Sequence, residues 1–399
     1  MDSLHFQVMG SREEGQPSSL LSPRRIGDLN RSRVLRALSD RGPLSRADLA
    51  KAAGVTRATM GTIVQSLIDS GILEEHAPMN LGAIGKPARP VWFAPGAGLA
   101  IAASVTVDGV EACLVDASGT VRERHREELK SRESSTVVAR AVADAVSRAK
   151  GKTAAPVGVG VAVPATVDTA HGEVLGSGQI PGAQGRVIVE RVNARTSLPV
   201  HIDNDSRTHA LAEKWFGGGR GLETYAAMQT GEGLGAGIVL GGEIVRSRSG
   251  VAGEVGHTAV VLDGERCTCG LSGCWETIAS LPWLRRAAKA LGLPGARAMT
   301  CARLVALAAE SAEADTLVDT YASHLAIGIA NLNQTLSLEV FIMHGDVLGG
   351  GEAFRTRLER HARRRSLSRL SIVNSTLGDE VALLGAGALV LAETFRMVA

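Results

Sequence analysis

The sequence predicts an α/β protein in which a small, mostly helical head precedes a larger body. Helical and strand-like segments with glycines at their joints follow one another through most of the 399 residues. Between Pro23 and Trp92, eleven Lys and Arg stand against six Asp and Glu, whereas the whole chain has a formal net charge of only +2. A basic head on a mildly acidic body is typical of proteins that bind a polyanion. By charge alone, a solvated helical surface is an equally good interpretation.

The composition excludes several classes of protein. With 45% hydrophobic and 21% charged residues, the chain can bury sizeable cores, which a wholly disordered chain cannot do. No apolar run reaches the roughly 18 residues of a membrane helix, so we expect no membrane partner. Aromatic residues make up only 3%, which argues against a module that stacks single-stranded bases.

The N-terminal residues and the cysteine content indicate where the protein works. Residues 1–22 are polar and of mixed charge, without the apolar segment of a secretory signal, and we interpret them as a flexible tail. Five cysteines in a chain of this length do not form a disulfide framework. Both features favour a reducing, cytoplasmic location.

The head begins with three predicted helices, over about residues 26–39, 46–53 and 57–70. Ser45 and Thr56 are placed to accept N-cap hydrogen bonds at the starts of the second and third helices. One face of the third helix is apolar, with residues spaced at i, i+3, i+4, i+7 and i+8: Met60, Ile63, Val64, Leu67 and Ile68. Such a stripe predicts one buried face and one exposed polar face.

Two short strands, near residues 72–74 and 91–93, follow these helices and flank a loop rich in Gly and Pro. Three short helices and a β-hairpin predict a winged helix-turn-helix domain over residues 23–95. The polar face of the third helix offers side chains that can read bases in a major groove: Arg57, Thr59, Thr62 and Gln65. Lys86 and Arg89 lie on the wing, where cations suit a minor groove. We therefore expect a double-stranded DNA operator as partner; the alternative is a small helical domain that contacts protein.

Residues 96–399 predict a separate α/β body. Its predicted strands cover residues 100–107, 111–115, 157–163, 200–202, 225–229, 235–240, 244–246 and 340–343. Its predicted helices cover residues 134–149, 206–215, 314–336 and 383–395. Two βββαβα-like halves can be traced in this order, which predicts two lobes around a cleft.

The strongest local signal in the sequence is a metal site between residues 257 and 276. Three cysteines lie within eight residues that include two glycines, and a histidine precedes them by ten residues: His257, Cys267, Cys269 and Cys274. Three thiolates and one imidazole make a closed tetrahedral set, which favours structural Zn²⁺ over a catalytic metal with an open position. A redox pair and unrelated buried cysteines are the alternatives. Cys113 and Cys301 stand alone, and we interpret them as core residues.

The metal motif resembles the signature of the ROK family, whose name stands for repressors, open reading frames and kinases. It reads Glu254-Val-Gly-His257, then Cys267-x-Cys269-Gly-x-x-Gly-Cys274-Trp-Glu276. Segments within residues 157–174, 180–183, 201–205 and 383–388 resemble other motifs of the family, with Ala183 in place of a usual Trp, so the resemblance spans nearly the whole chain. It implies a two-lobed, actin-like sugar-kinase fold with a monosaccharide bound between the lobes.

The resemblance also implies a set of five residues that bind sugar hydroxyls: Asn204, Asp205, Glu254, His257 and Glu276. Carboxylates, an amide and an imidazole together offer donors and acceptors for a ring of adjacent hydroxyls. His257 can serve zinc through one ring nitrogen and the sugar through the other. Taken singly, each carboxylate is equally well explained as a surface or capping residue.

Three glycine-rich loops hold ATP in the kinases of the family, and all three are altered in this chain. The first falls on residues 104–108, where Ser104 replaces an acid and bulkier or acidic residues replace glycines and a threonine. Glu232 and Asp346 place carboxylates in the second and third loops. Two like charges ~4 Å apart repel by about 4 kcal/mol near a protein surface, so these residues should weaken ATP binding.

Together these features predict a sugar-responsive DNA-binding regulator that is not an enzyme, most simply a repressor of genes for carbohydrate uptake or catabolism. Its expected effector is a monosaccharide or a sugar phosphate. Binding of the effector would bias lobe closure and so the spacing of two heads in a homodimer or homotetramer. Two alternatives remain: a sugar kinase with a DNA-binding head, and a constitutive DNA-binding protein with a vestigial cleft.

Overall fold

The computed structural model describes residues 23–77, 89–151 and 155–396, and it confirms an α/β protein with a mostly helical head. The head contains α1 (Pro23–Arg41), β1 (Leu44–Ser45), α2 (Arg46–Ala53), α3 (Arg57–Asp69), β2 (Leu73–Glu75) and β3 (Pro90–Phe93). Its strands form an antiparallel sheet in the order β1-β3-β2. The predicted flexible tail, residues 1–22, lies outside the described residues.

Capping side chains start α2 and α3 where the sequence predicts. Ser45 Oγ accepts a hydrogen bond from the Asp48 amide at 3.1 Å, and Thr56 Oγ1 accepts one from the Thr59 amide at 3.2 Å. Gly54 ends α2 in the left-handed conformation, with φ 68°, which turns the chain sharply into α3. The turn packs the apolar face of α3 against the other helices and leaves its polar face outside.

The first lobe of the body is built around a five-stranded mixed sheet. Its elements are β4 (Ala100–Val105), β5 (Gly109–Val115), β6 (Val121–Glu128), α4 (Ser135–Lys150), β7 (Val159–Val163), β8 (Thr166–Asp168), β9 (Glu173–Gly176), α5 (Val187–Thr196), β10 (Val200–Asn204) and α6 (Asp205–Phe216). The sheet order is β10-β7-β4-β5-β6, and β8 and β9 form a separate hairpin. The parallel pairing of β7 and β10 places α6 directly at the carboxyl end of β10.

The second lobe contains another five-stranded mixed sheet, in the order β13-β12-β11-β14-β15. The remaining elements are β11 (Tyr225–Thr230), β12 (Leu234–Leu240), β13 (Glu243–Ile244), α7 (Glu276–Ala279), α8 (Leu281–Ala290), α9 (Cys301–Ala308), α10 (Ala312–Leu336), β14 (Val340–Gly345), α11 (Gly351–Arg365), β15 (Ser371–Asn374) and α12 (Val381–Arg396). Among the described helices, α10 included, none is long and apolar enough to cross a membrane.

The last helix returns to the first lobe. α12 packs against α6 and against β4 and β7, and it approaches β7 so closely that a Cβ on Gly160 would lie 1.8 Å from the Ala386 carbonyl oxygen. Each lobe has its own hydrophobic core on the other side of its sheet. Two separate cores and two mixed sheets agree with the two-lobed fold that the sequence predicts.

The head is docked on the first lobe by an aromatic cluster. The ring of Phe93 stacks on Trp215 of α6 and on Phe395 of α12, with centroids 6.0 and 5.1 Å apart, and all three side chains are buried. Lys214 of α6 also forms an ion pair with Asp40 of α1, at 3.2 Å. Because one hydrophobic cluster crosses from head to body, the predicted domain boundary between residues 95 and 96 stays a prediction.

Candidate functional site

The loop between β13 and α7 brings together all four predicted metal ligands. The ligand atoms of His257, Cys267, Cys269 and Cys274 lie within 4.8 Å of one another. Cys267 Sγ is 3.6 Å from His257 Nδ1, and Cys269 Sγ is 3.7 Å from Cys274 Sγ. Bonds of about 2.3 Å from zinc to sulfur and about 2.05 Å to nitrogen give tetrahedral edges of about 3.6 and 3.8 Å. The four residues therefore fit one tetrahedral zinc ion.

Tight turns of the backbone make this approach possible. The Cys267 amide donates to the Leu271 carbonyl at 2.7 Å, and the Gly270 amide donates to the Cys267 carbonyl at 3.0 Å. Gly273 has φ 73°, and a Cβ there would lie 1.9 Å from the Val261 carbonyl oxygen, so a larger residue would push the loop open. The hairpin-like loop thus presents its cysteines inward to His257.

The other two cysteines do not belong to the metal set. Cys113 lies in β5 and Cys301 at the start of α9, and both are fully buried among apolar side chains. Burial raises the pKa of the Cys113 thiol to about 12, and it also raises the pKa of Cys301. Both are neutral core residues in their surroundings, as the sequence predicts.

Two of the predicted sugar-binding residues, Glu254 and Glu276, lie beside the histidine of the metal set. Glu276 Oε1 lies 3.8 Å from His257 Nδ1, and Glu254 Oε2 lies 3.9 Å from His257 Nε2. The two ring nitrogens therefore point in different directions, Nδ1 to the cysteines and Nε2 to Glu254. Glu276 follows the last cysteine at the start of α7, which places its carboxylate beside Cys267 Sγ, at 3.3 Å. The loop of the four candidate metal ligands thus also carries Glu254 and Glu276 of the predicted sugar set.

The carboxylate of Asp205 lies close enough to Glu254 for the charge of Glu254 to act on it. Burial raises the pKa of Asp205 to about 6, and the charge of Glu254 contributes to this rise. Burial also raises the pKa of Glu254, against the opposing effect of His257. Pairs of half-buried carboxylates with raised pKa values are typical of functional sites, because desolvated acceptors gain most from a ligand that donates hydrogen bonds.

Asn204 has a structural task that the sequence analysis did not predict. Its Oδ1 accepts hydrogen bonds from the amides of Ser206 and Arg207, at 3.0 and 3.2 Å, and so caps α6. Its Nδ2 donates to the Ala165 carbonyl at 3.0 Å. Only one amide N–H therefore stays available for a ligand. The main effect of Asn204 is to fix the helix that begins at Asp205.

The loops that correspond to the kinase phosphate loops are occupied by internal contacts. Glu232 forms an ion pair with Arg285 at 2.7 Å, so its charge is partly balanced. Asp346 Oδ2 accepts a hydrogen bond from the Cys301 amide at 2.9 Å, and burial raises its pKa, to which Glu232 contributes. Thr106 closes the first loop by donating its hydroxyl to the Gly109 carbonyl at 3.1 Å. The loop sequence alone predicts two acids without a neutralising cation, and the ion pair of Arg285 with Glu232 corrects that prediction for Glu232.

The predicted DNA-reading residues of α3 all lie on one exposed face: Arg57, Thr59, Thr62 and Gln65. Gln65 Nε2 donates to Asp69 Oδ1 at 2.9 Å, and its Oε1 accepts from Arg46 Nη2 at 3.2 Å. Arg46 also forms an ion pair with Glu75 at 2.8 Å. Arg46, at the first position of α2, is a candidate DNA contact that sequence reasoning missed; its place immediately after the capping Ser45 was the available signal.

One of the two predicted wing cations can be placed. Arg89 is exposed beside β3, and its Nη1 lies 3.9 Å from Glu75 Oε2. Lys86 lies outside the described residues. The wing strands β2 and β3 pair antiparallel, with Leu73 opposite Phe93, as a winged helix requires.

Family comparison decides the identity of the body. The model of the ROK family matches residues 101–393, which is most of the chain and includes both lobes and the zinc loop. The chain belongs to the ROK family. The model of the MarR family matches residues 28–78 of this ROK protein, which includes α2, α3 and β2 of the head. It is therefore a ROK transcriptional regulator with an N-terminal helix-turn-helix domain.

Individual relatives of the ROK protein divide into two groups. The xylose repressor of Caldicellulosiruptor bescii is 28% identical over 92% of this chain and 96% of its own length. The glucokinase of Halalkalibacterium halodurans is 31% identical over 59% of this chain and 76% of its own length. A crystal structure of a ROK family transcriptional regulator, described as a homologue of the E. coli MLC protein, has a TM-score of 0.76 and 24% identity over 94% of this chain and 98% of its own. The repressor and the regulator extend over the head as well as the body.

Proposed function

We propose that this ROK regulator is a repressor that binds operator DNA with its head and releases or tightens that hold when a sugar binds in its body. One observation carries the proposal: a chain with an exposed polar face on α3 also brings Glu254 and Glu276 beside His257, with Asp205 close enough to Glu254 for the charge of Glu254 to act on it. A site of this kind rejects ligands that lack a hydroxyl, because its buried polar groups would then be left unpaired. Sugar recognition and DNA recognition are thereby present in one molecule.

The sugar set is proposed as Asn204, Asp205, Glu254, His257 and Glu276. Xylose is the first sugar to test, since full-length relatives are named xylose repressors. The effector class stays a monosaccharide or a sugar phosphate, bound by hydroxyl-directed hydrogen bonds. In this proposal the uncovered nitrogen of His257, Nε2, contacts a hydroxyl while Nδ1 binds zinc.

Zinc is proposed as a structural ion held by His257, Cys267, Cys269 and Cys274. When bound, it supplies cross-linking of the loop and leaves no open coordination position for catalysis. Its effect on function is indirect, because Glu276 follows Cys274 by two residues and Glu254 precedes His257 by three. Loss of the ion should therefore disturb the sugar set.

DNA contacts are proposed for Arg57, Thr59, Thr62 and Gln65 in the major groove and for Lys86 and Arg89 in the minor groove. The regulator would act in the cytoplasm as a homodimer or homotetramer, which presents two heads to a two-part operator. The exposure of the four α3 side chains supports this assignment. The internal contacts of Gln65 with Arg46 and Asp69 would have to rearrange on DNA binding.

The proposal is tested by measuring operator binding with and without sugar. An operator is first selected from random-sequence DNA with the purified protein, and a thermal-shift screen of pentoses and hexoses identifies the ligand. A sugar at 100 times its dissociation constant should stabilise the protein by about 2.7 kcal/mol. Fluorescence anisotropy should then show operator affinity changed by that sugar. No sugar that stabilises the protein, or no sugar effect on operator affinity, contradicts the proposal.

A sugar kinase is the second candidate, favoured by the glucokinase relative and by the position of Asp205. Asp205 is a half-buried carboxylate with a raised pKa at the amino end of α6, which suits a general base that deprotonates a sugar hydroxyl. A coupled assay of ATP consumption with each sugar of the panel separates the two functions. The kinase requires sugar-dependent turnover that Asp205→Ala abolishes.

A further inference from the structure

An arginine outside the sugar-binding motif lies among the segments that carry the sugar set. Arg207 follows Asp205 by two residues in α6 and is only 1% exposed. Its Nε donates a hydrogen bond to Asp203 Oδ1 at 2.6 Å. Its other two nitrogens donate to three backbone carbonyls at 2.9, 3.0 and 3.2 Å, those of Gly250, Ala252 and Val167. One buried guanidinium thus ties α6 to two other segments.

Of these two segments, the one at Gly250 and Ala252 leads into Glu254, and the one at Val167 contacts the Glu254 side chain. The backbone from residue 250 to 252 leads directly into Glu254, whose amide donates to the Val251 carbonyl at 3.2 Å. Val167 is in β8 beside Thr166, and the Thr166 side chain hydrogen-bonds to the Glu254 carboxylate. Arg207 therefore fixes the position of Glu254 relative to Asp205, the two carboxylates whose charges interact.

The carboxylate that holds Arg207 is shared with a second arginine. Asp203 is fully buried, and its Oδ2 accepts a hydrogen bond from Arg246 Nε at 3.0 Å and forms an ion pair with Arg246 Nη2 at 2.9 Å. Its Oδ1 also accepts a hydrogen bond from the backbone amide of Asn204 at 2.8 Å. A buried carboxylate is stable only with such compensation, so neither arginine can move without changing the environment of the other.

The second arginine faces the DNA-binding head. Arg246 lines a cavity of about 490 Å³ between the body and α1, which also includes Arg33 and Asp40 of that helix. Glu243 of β13, three residues before Arg246, forms an ion pair with Arg36 of α1. Contacts therefore run from the loop of Glu254 through Arg207 and Asp203 to Arg246, and the three-residue step along the chain from Arg246 to Glu243 continues them to Arg36 of the head.

We propose that Arg207 is a positioning residue of the sugar site and that Asp203 and Arg246 transmit its position to the head. This inference rests on the proposed function and names how the sugar site regulates DNA binding. A sugar that orders Glu254 favours one arrangement of the Arg207 contacts, and the shared Asp203 carboxylate passes that preference to Arg246 and β13. Contiguous contacts of this kind can transmit coupling when the element has two arrangements.

The proposed transmission from Asp203 through Arg246 to the head is tested by Arg246→Met. Arg248→Met, at an exposed arginine two residues further along the chain, is the matched control. Operator affinity is measured by anisotropy with and without D-xylose, or with the sugar that most stabilises the wild type. In Arg246→Met, the ratio of the two affinities should fall about threefold or more toward one. Sugar-free operator affinity should stay within about twofold, as in the control, and sugar affinity should fall less than in Arg207→Lys, because Arg246 reaches the sugar site only through Asp203 and Arg207.

The proposed positioning of the sugar site by Arg207 is tested by Arg207→Lys, which keeps the positive charge but cannot make all four hydrogen bonds. Its sugar affinity should fall about tenfold or more, while sugar-free operator affinity stays within about twofold. A merely structural role would lower both affinities together with the melting temperature. Arg246 is one-third exposed, so Arg246→Met keeps the proposal testable if Arg207→Lys fails to fold.

Different results overturn the proposed function and the proposed roles of Arg207, Asp203 and Arg246. A wild-type protein whose operator affinity ignores every sugar overturns the proposed function itself. A wild type with a clear sugar effect, which Arg246→Met retains in full, overturns only the transmission through Asp203 and Arg246. A sugar affinity that Arg207→Lys leaves unchanged overturns the positioning role.

Discussion

Two groups of carboxylates in this ROK domain differ in their surroundings. The first is the proposed sugar-binding group of Asp205, Glu254 and Glu276, and the second is Glu232 and Asp346 in the loops that correspond to the kinase phosphate loops. In the first group, burial raises the pKa values of Asp205 and Glu254, and Glu254 and Glu276 lie 3.9 and 3.8 Å from the two ring nitrogens of His257. At the loops of Glu232 and Asp346, the carboxylates are engaged by Arg285 and by the Cys301 amide. This difference supports the proposal that the chain binds a sugar without transferring a phosphoryl group, because a cation already pairs with Glu232 and a backbone amide already donates to Asp346.

Removal of zinc should have the largest effect on sugar affinity, because the proposed zinc ion holds the loop that carries Glu254 and Glu276. Cys269→Ser should lower the metal content from about one zinc per chain and abolish the sugar response, since structural zinc sites contribute about 10–16 kcal/mol. Metal analysis and calorimetry with the sugar measure the two outcomes. Cys113→Ala, in the core of the other lobe, is the control and should keep its metal. Full loss of metal with unchanged sugar affinity breaks the proposed link.

Glu254→Ala should have the next largest effect. The substitution removes a half-buried acceptor and should weaken sugar binding by about 1.5–3 kcal/mol, which is roughly 10- to 150-fold. Operator affinity without sugar should not change, because Glu254 lies in a loop of the body and α3 packs on α1, α2 and β2 of the head. Calorimetry with the sugar checks the prediction, and Glu265→Ala is the control, an exposed carboxylate of the same loop. Equal losses in both variants contradict a specific role for Glu254.

Sugar affinity should fall as the pH drops through about 6. The pKa of Asp205 is raised to about 6, so its carboxylate is present above this pH and is protonated below it. A sugar that donates to the carboxylate prefers the charged form, and its affinity should decrease by up to about tenfold per pH unit below 6. Titrations between pH 5 and 8 measure the slope. Asp205→Asn should bind weakly and with a flatter profile; an unchanged profile in this variant assigns the titration elsewhere.

DNA recognition should respond more modestly and should divide between helix and wing. Gln65→Ala should relax the preference at one base pair by about 1–3 kcal/mol if its amide reads that base. Arg89→Ala and Lys86→Ala should weaken binding more uniformly across operator variants and reduce the salt slope by about one each. Anisotropy with single-base operator variants at several salt concentrations distinguishes the two patterns. Identical behaviour of the helix and wing variants contradicts the assignment.

Local patterns in the sequence predict the zinc loop and the head well. Cys267, Cys269 and Cys274 lie within eight residues, so loop geometry alone brings their sulfur atoms together. Ser45 and Thr56 act within three residues of their partners, which is why the helix starts are confirmed. Interactions of short range depend on spacing, and spacing is readable in a single sequence.

Long-range contacts and edge strands are the parts that the sequence could not show. β6 is rich in charged residues and was missed, because a strand at the sheet edge does not need the apolar pattern of a buried one. Arg207 contacts carbonyls about 40 residues away in both directions along the chain, and no local pattern marks such an arginine. Arg285 balances Glu232 for the same reason without any signal in the loop motif.

The most direct test of the central claim is to measure operator affinity and ATP consumption in the same sample with a saturating sugar. We expect that the sugar changes operator affinity, that DNA changes sugar affinity by the same factor, and that no ATP is consumed. Asp205→Ala should remove the sugar effect and leave sugar-free operator binding intact. Sugar-dependent ATP consumption by the wild type, lost in Asp205→Ala, together with an operator affinity that ignores the sugar, would contradict the account.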